Sequence, residues 1–257
     1  PDKPLNAGGA RYNSSYIQGV GLGTITDSLS SIKYNVFEKK NLTMSEMIDL
    51  LKSNFENKKD LRDKLFFETP RYGNDDDAAD NLTRQVFESY FAAVDGRPNT
   101  KGGHFRVDLL PTTCHVYFGS VLGATPDGRY AKEPVSEGIS PVQGADVHGP
   151  TAVIKSASKI DHLRTGGTLL NQKFTPNFLA TDDGIEKVVN LIRTYFRLDG
   201  HHIQFNVVNA ELLKEAQKHP EKYRDLIVRV AGYSDYFVDL GIDLQNEIIN
   251  RTEHMSF

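Results

Sequence analysis

The residues with the clearest chemical potential lie in the stretch RVAGYS, where Arg229 and Val230 precede Gly232 and Tyr233 follows it. A radical on a peptide α-carbon is stabilised because the amide nitrogen donates electron density and the carbonyl group withdraws it. This stabilisation requires a planar centre, and a side chain would clash with the flanking peptide planes as the carbon flattens. Glycine has no side chain, so Gly232 is a candidate site for a stored radical. A bulge glycine at the end of a strand is the alternative that these residues leave open.

The single cysteine, Cys114, is a second candidate for chemistry, and His115 follows it directly. One cysteine excludes an intrachain disulfide and a CxxC-type metal site, which fits a reducing compartment. The surrounding segment VDLLPTTCHVYFGSVLG is a short apolar run bounded by turn residues and predicts a strand or a loop. Neighbouring side chains on a strand point to opposite faces. We therefore expect no cysteine–histidine pair here and a buried, inert thiol.

The remaining motifs do not indicate a metal or nucleotide site. His201 and His202 are adjacent on a predicted strand and would point apart, so a shared metal is not expected. The acidic run NDDDAAD lacks the alternate ligands and the glycine of a calcium loop, and it is typical of a helix start. The run GVGLG, at residues 19–23, misses the spacing of a dinucleotide-binding loop and predicts close packing of a helix or strand.

Helices are predicted where apolar residues recur at helical spacing behind a capping residue. Thr43 and Glu46 have the spacing of a capping box at the start of TMSEMIDLLKSNF. A second helix is expected from Asp75 to Val94, and three more over GIEKVVNLIRTYFRLDG, NAELLKEAQKHP and DLQNEIINRTEH, with Asn209 as the N-cap of the second of these. The apolar side chains expected on the inward faces are Met47, Ile48, Leu51, Phe55, Ala79, Leu82, Val86, Tyr90, Val94, Val188, Val189, Ile192, Phe196, Leu244, Ile248 and Ile249.

The middle of the chain, residues 97–182, is rich in Gly, Pro, Thr and Ser. Its short apolar runs, among them TAVIKSA and GTLLNQKF, predict buried strands or loops. The run HIQFNVV alternates Ile203, Phe205 and Val207, which predicts a strand with these side chains on its apolar face. Helix, strand and helix in this order predict an α/β arrangement.

Composition excludes several classes of protein. The chain has 257 residues, 39% of them hydrophobic, which is enough for a large core. A formal charge of -4 without a basic stripe makes nucleic acid an unexpected partner. No apolar run is long enough to predict a membrane span, so a cytoplasmic protein is expected.

The tail LIVRVAGYSDYFVDLGIDLQNEIINRTEH closely resembles the glycyl radical domain of the glycyl radical enzymes, the pyruvate formate-lyase superfamily, where Arg-Val-x-Gly-Tyr precedes a terminal helix. By this resemblance Gly232 is the radical site, and Arg229, Val230 and Tyr233 complete the motif. Blocks such as YGNDDDAAD, VYFGSVLGATPDGRYAKEPVSEGISP and DGHHIQFNVV extend the resemblance over nearly the whole chain. They most resemble the eliminating dehydratases, first those of trans-4-hydroxy-L-proline and then the B12-independent glycerol and propanediol dehydratases.

The resemblance implies an α/β fold, a ten-stranded barrel made of two half-barrels. This chain would supply the second half-barrel and the C-terminal glycyl radical domain. We expect residues 1–130 to belong to the barrel and residues 131–257 to form the glycyl radical domain with its finger loop. The family's catalytic loop, Gly-Cys-x-x or Gly-Cys-x-Glu, does not occur in this sequence, and Cys114 lies in a different block. We therefore expect the chain to be the C-terminal portion of a longer enzyme whose other part carries the thiyl cysteine.

The implied activity is radical elimination of water from a small hydroxylated substrate. An activating enzyme that uses S-adenosylmethionine and an iron–sulfur cluster would install the radical on Gly232, and the chain itself would bind no metal or cofactor. Thr112 matches a substrate-contacting position of the hydroxyproline branch, and the complete enzyme is expected to be a homodimer. Other leaving groups of the same superfamily, a non-catalytic spare part that restores a damaged glycyl radical enzyme, and a fragment without a native role are the alternatives.

Overall fold

The computed structural model describes residues 3–110 and 112–255 and has a mixed α/β architecture. A π-helical segment, Ile32–Glu38, continues the first α-helix. The α-helices are α1 (Leu22–Ser31), α2 (Met44–Lys52), α3 (Lys59–Phe67), α4 (Asp77–Val94), α5 (Cys114–Val121), α6 (Gly149–Ala157), α7 (Pro176–Leu179), α8 (Asp182–Arg197), α9 (Ala210–Lys218) and α10 (Ile242–Asn250). The strands are β1 (Ser15–Gln18), β2 (Phe105–Asp108), β3 (Leu170–Phe174), β4 (Ile203–Val207), β5 (Ile227–Arg229), β6 (Ser234–Tyr236) and β7 (Glu253–His254).

Parallel strand pairing dominates the fold, as the α/β prediction requires. Strand β1 pairs with β2, and β3 lies between β4 and β7, in each case with the strands parallel. A single parallel bridge between Leu109 and Thr168 joins the end of β2 to the residues before β3. Only β5 and β6 pair antiparallel within the named strands of the described residues. These two form a hairpin that lies against β4.

Three apolar clusters hold these elements together. The largest contains Leu22, Phe87, Val107 and Leu191 and joins α1, α4, β2 and α8. A second cluster packs the β5–β6 hairpin against α9 and α10. It consists of Val208, Leu213, Ala216, Val228, Val230, Phe237, Ile248 and Ile249. A third lies around α2 and α3 and contains Met47, Leu50, Phe55 and Leu65. The second cluster is the one that positions the hairpin.

The helices predicted from caps and periodicity are confirmed. Thr43 and Glu46 form the capping box of α2, with the Thr43 N–H donating to the Glu46 carboxylate at 2.7 Å. Asp76 caps α4 and Asn209 caps α9 through their side-chain oxygens. The acidic run at residues 74–80 is therefore a helix start, since its aspartates cap and flank the first turn of α4. Some predicted inward residues are nevertheless exposed, namely Ile48, Val189 and Phe196.

Two short apolar runs were predicted wrongly. TAVIKSA forms most of α6 rather than a strand, and its side chains Ala152, Val153 and Ile154 are all buried. A helix is recognised in a sequence when apolar and polar residues alternate with the helical period. A helix that is buried on most of its surface has few polar residues, so this alternation is missing. The segment that begins at Cys114 is helix α5, and the Cys114 side chain is exposed rather than buried.

Strand β4 is present as predicted, but its buried face is the opposite one. Gln204 and Asn206 are buried, whereas Val207 is 43% exposed. Ile203 and Phe205 are only partly buried against the largest apolar cluster. The histidine pair at residues 201–202 precedes β4 and does not lie within it.

Within the described ranges, no helix combines the length and the apolar character needed to cross a bilayer.

Candidate radical site

Gly232 lies in the turn of the hairpin formed by β5 and β6. Beyond the last strand pair, the Val230 N–H donates to the Tyr233 carbonyl oxygen at 2.9 Å. Gly232 has a φ of +79°, in the left-handed region. A β-carbon at this position would meet no atom within 4 Å. The backbone conformation, and not crowding, therefore favours glycine here, and the residue is exposed.

The residues before Gly232 anchor the turn in the core. Val230 is fully buried and belongs to the same apolar cluster as Phe237 and Ile248. Ala231 is also buried, whereas Tyr233 is 38% exposed. The hairpin therefore presents the glycine at an accessible turn while the preceding residues fix its position.

Two buried side chains of β4 bind the backbone of the hairpin. Asn206 Oδ1 accepts the Arg229 N–H, and Asn206 Nδ2 donates to the Arg229 carbonyl oxygen, both at 2.8 Å. Gln204 Oε1 accepts the Gly232 N–H at 3.1 Å and an Arg229 guanidinium N–H at 3.1 Å. Gln204 Nε2 donates to the Val230 carbonyl oxygen at 3.2 Å. These bonds satisfy backbone groups that a neighbouring strand would otherwise pair.

The terminal helix is tied to the hairpin by Arg251, which lies just after α10. Its guanidinium donates to the Arg229 carbonyl oxygen at 3.3 Å and to the Glu247 carboxylate at 3.0 and 2.8 Å. Both charged side chains are buried. Burial by itself would raise the pKa of Glu247, but the Arg251 guanidinium and His115 together outweigh that effect and hold the pKa well below its usual range. The pair is therefore a buried ion pair with one contact to the radical motif.

A buried lysine makes a further contact to the end of α10. Lys173 Nζ donates to the Ile249 carbonyl oxygen at 2.9 Å, and its side chain is 1% exposed. Burial lowers the pKa of Lys173 to about 8. A cation at the C-terminal end of a helix interacts favourably with the helix dipole, so this contact holds α10 against β3.

Thr112 lies on a different element, the connection from β2 to α5. Thr112 is exposed and has a φ of +53°, which is unusual for a β-branched residue. Cys114 begins α5 at the surface of the described structure. The structure thus brings the four residues of the radical motif together in one hairpin and places the predicted substrate residue elsewhere.

Four residues of this site were missed by sequence reasoning, namely Gln204, Asn206, Glu247 and Arg251. The available signal was in HIQFNVV, where the amide side chains Gln204 and Asn206 occupy the positions between the alternating apolar residues. Amides without formal charge can be buried when their hydrogen bonds are satisfied. The hairpin packs against the amide face of β4, so these amide side chains are buried and find backbone partners there.

No group of three or more potential metal-ligating side chains occurs among the residues that the structure describes.

Two family models match the chain. The pyruvate formate lyase-like model matches residues 2–119, and the glycine radical model matches residues 135–238, which include the hairpin. The chain belongs to the glycyl radical enzymes. The fold class and the family predicted from the sequence are confirmed, and the second model contains the predicted radical motif.

Curated and solved proteins give a consistent comparison. The chain is 57% identical over 251 residues to trans-4-hydroxy-L-proline dehydratase of Clostridioides difficile, covering 98% of this chain and 32% of that protein. A crystal structure of hydroxyproline dehydratase from the same organism, with trans-4-hydroxy-L-proline bound, superimposes with a TM-score of 0.95 at 56% identity, over 97% of this chain and 32% of the other. The glycerol-bound B12-independent glycerol dehydratase of Clostridium butyricum gives a TM-score of 0.94 at 47% identity, over 99% and 32% of the two chains. This chain therefore spans about 32% of the length of these relatives.

Proposed function

We propose that this chain is the radical-bearing part of a glycyl radical dehydratase that eliminates water from trans-4-hydroxy-L-proline. The observation that carries the proposal is the Arg-Val-x-Gly-Tyr hairpin, with Gly232 in an accessible left-handed turn. The fold of the surrounding elements and the high identity to hydroxyproline dehydratase support it. The favoured division of the chain is a barrel portion over residues 1–130 and a glycyl radical domain over residues 131–257.

The proposed reaction begins with removal of one hydrogen atom from the α-carbon of Gly232 by an activating enzyme. That enzyme uses S-adenosylmethionine and an iron–sulfur cluster, so the difficult radical generation occurs outside this chain. The glycyl radical then takes the hydrogen atom of a cysteine thiol, which restores the glycine and forms a thiyl radical. The thiyl radical takes a hydrogen atom from the carbon beside the substrate hydroxyl group, and the hydroxyl group leaves as water together with one proton of the substrate. The product radical that remains takes the hydrogen atom back from the cysteine thiol, and the regenerated thiyl radical takes a hydrogen atom from Gly232 to restore the glycyl radical.

The cysteine of this relay belongs to polypeptide outside the chain. We propose that this polypeptide covers an apolar groove of about 770 Å³ formed by α1, β1 and the end of α5. Ile25, Leu29 and Phe118 line it and are 39–48% exposed. An exposed apolar surface of this kind marks a site of contact with another chain or segment. The complete enzyme would have the missing part seated there and would associate as a homodimer.

Hydroxyproline dehydration can be tested on the complete gene product after anaerobic activation. We expect loss of trans-4-hydroxy-L-proline with release of water and formation of an unsaturated cyclic product, which reduction with borohydride and mass spectrometry would detect. Glycerol and propane-1,2-diol are the comparison substrates, because the second solved relative binds glycerol. Faster turnover of either diol than of hydroxyproline would overturn the substrate assignment and leave the radical assignment standing.

Thr112 is proposed to contact the substrate. Its unusual φ for a β-branched residue supports this, because strained backbone positions cluster at functional sites. Thr112→Val keeps the branched shape and removes the hydroxyl group. We expect the KM for hydroxyproline to rise by up to about tenfold, the effect of losing one hydrogen bond, with a smaller change in kcat. The control is Thr113→Val at the neighbouring position, and equal kinetics for the two variants would contradict the assignment.

A further inference from the structure

The side-chain amide of Gln204 brackets the turn that contains Gly232. Its oxygen accepts the Gly232 N–H, and its nitrogen donates to the Val230 carbonyl oxygen two residues earlier. Its oxygen also accepts from the Arg229 guanidinium, and its nitrogen also donates to Asn171 Oδ1. Two donors therefore face its oxygen and two acceptors face its nitrogen. This arrangement fixes the orientation of the amide.

We propose that Gln204 is the positioning residue of the glycyl radical, acting through its hydrogen bond with the Gly232 N–H. The inference rests on the proposed function, since it assumes that the radical forms on Gly232. It adds a specific role for a buried residue of β4 that lies outside the Arg-Val-x-Gly-Tyr motif.

The electronic argument follows from the bond that Gln204 accepts. An α-carbon radical is stabilised by donation from the amide nitrogen, and an acceptor on the N–H polarises that amide so that its nitrogen donates more strongly. Gln204 is 5% exposed, so its acceptor oxygen is shielded from water, whereas Gly232 itself is exposed. A hydrogen bond of this kind is stronger in a buried environment than in water.

The geometric argument concerns the flattening of the α-carbon. When the carbon becomes planar, the peptide groups on its two sides must align with it. The Gln204 oxygen holds the peptide group on the amino side of Gly232, and its nitrogen holds the preceding turn through Val230. The carboxyl side of Gly232 continues into the exposed Tyr233. One peptide plane is therefore fixed while the other remains able to align with it.

Asn206 provides a matched comparison within the same strand. It is buried to the same degree, at 4% exposed, and its amide bonds both backbone groups of Arg229. No hydrogen bond of Asn206 within the described structure reaches Gly232. Removal of Asn206 therefore loosens the hairpin without removing the acceptor from the radical residue.

The test uses Gln204→Met, Gln204→Glu and Asn206→Leu in the complete gene product after anaerobic activation. Methionine keeps the length of the side chain and removes the acceptor, whereas glutamate keeps an acceptor oxygen. We expect Gln204→Met to change the nitrogen and N–H hyperfine couplings of the radical, measured by electron–nuclear double resonance with isotope-labelled glycine. Its anaerobic lifetime should fall by about three- to tenfold, the loss of one hydrogen bond. Gln204→Glu keeps the acceptor but loses the donor to Val230 and Asn171, so it should change the couplings less than Gln204→Met does. Asn206→Leu should preserve the wild-type couplings.

Wild-type couplings and lifetime in Gln204→Met would overturn the inference, and so would the same change in Asn206→Leu. If Gln204→Met does not fold, the deuterium quadrupole coupling of the Gly232 N–D group can be measured in activated wild-type protein instead. A coupling typical of a free amide would overturn the inference, and a coupling typical of a hydrogen-bonded amide would support it. An activated wild-type protein without any radical would instead overturn the proposed function, and this inference with it.

Discussion

Replacement of Gly232 with alanine is expected to abolish turnover while leaving a folded protein. Alanine adds a side chain to the α-carbon that must become planar, and it occupies a left-handed conformation at a cost of about 1–2 kcal/mol. The position is open, since a β-carbon there would meet no atom within 4 Å. The folding cost is therefore limited to backbone strain, and loss of activity must come from loss of the radical. Steady-state assay of anaerobically activated protein measures the first effect, and urea denaturation measures the second.

Gly102→Ala is the matched control for this variant. Gly102 has a φ of +77°, close to the +79° of Gly232, and its added β-carbon would also lie in open space. Both variants should lose a similar free energy of unfolding, but Gly102→Ala should keep wild-type turnover. Turnover by Gly232→Ala at a rate comparable to that of Gly102→Ala would show that the reaction does not pass through Gly232.

Removal of the Arg251 guanidinium is expected to give the largest loss of stability. Arg251→Leu leaves the Glu247 carboxylate buried without its partner, and removing one member of a buried ion pair costs about 3–5 kcal/mol. The substitution also removes the donor to the Arg229 carbonyl oxygen. The hairpin should therefore become more accessible to protease at the same time. Urea denaturation and limited proteolysis within residues 227–236 measure these two effects.

Arg164→Leu is the control for loss of an arginine ion pair. Arg164 and Glu88 form a pair at 2.6 Å, with both side chains more than a third exposed. Such a surface pair contributes at most about 1 kcal/mol. The double variant Glu247→Leu with Arg251→Leu should recover part of the stability, because the Glu247 carboxylate is no longer left buried without the guanidinium. An Arg251→Leu variant no less stable than Arg164→Leu would contradict the assigned role of the pair.

Local signals in the sequence were sufficient to predict five of the ten α-helices in the described residues, and the family. Capping at Thr43 and Asn209 depends on residues only a few positions apart, and the structure confirms both. Helix α6 was missed because its exposed face is too small to produce a helical period. Its remaining local signal was Pro150 near the first helical position, which is favourable at a helix start.

The support of the candidate site could not be predicted in the same way. Gly232 was found from a motif of adjacent residues, but Gln204 lies 28 positions before it and contacts it only through the tertiary fold. The alternation in β4 suggested that the apolar side chains face the core. The structure instead buries Gln204 and Asn206, because the hairpin supplies backbone partners for their amides.

The central claim is that the radical resides on Gly232, and anaerobic electron paramagnetic resonance tests it most directly. The complete gene product is incubated with its activating enzyme and S-adenosylmethionine, in water and in deuterium oxide. In water we predict a doublet from the single remaining α-hydrogen. In deuterium oxide the doublet should collapse if that hydrogen exchanges with deuterium, and in Gly232→Ala it should be absent. A doublet that persists in Gly232→Ala, or no radical signal with an activating enzyme proven on another glycyl radical enzyme, would contradict the account.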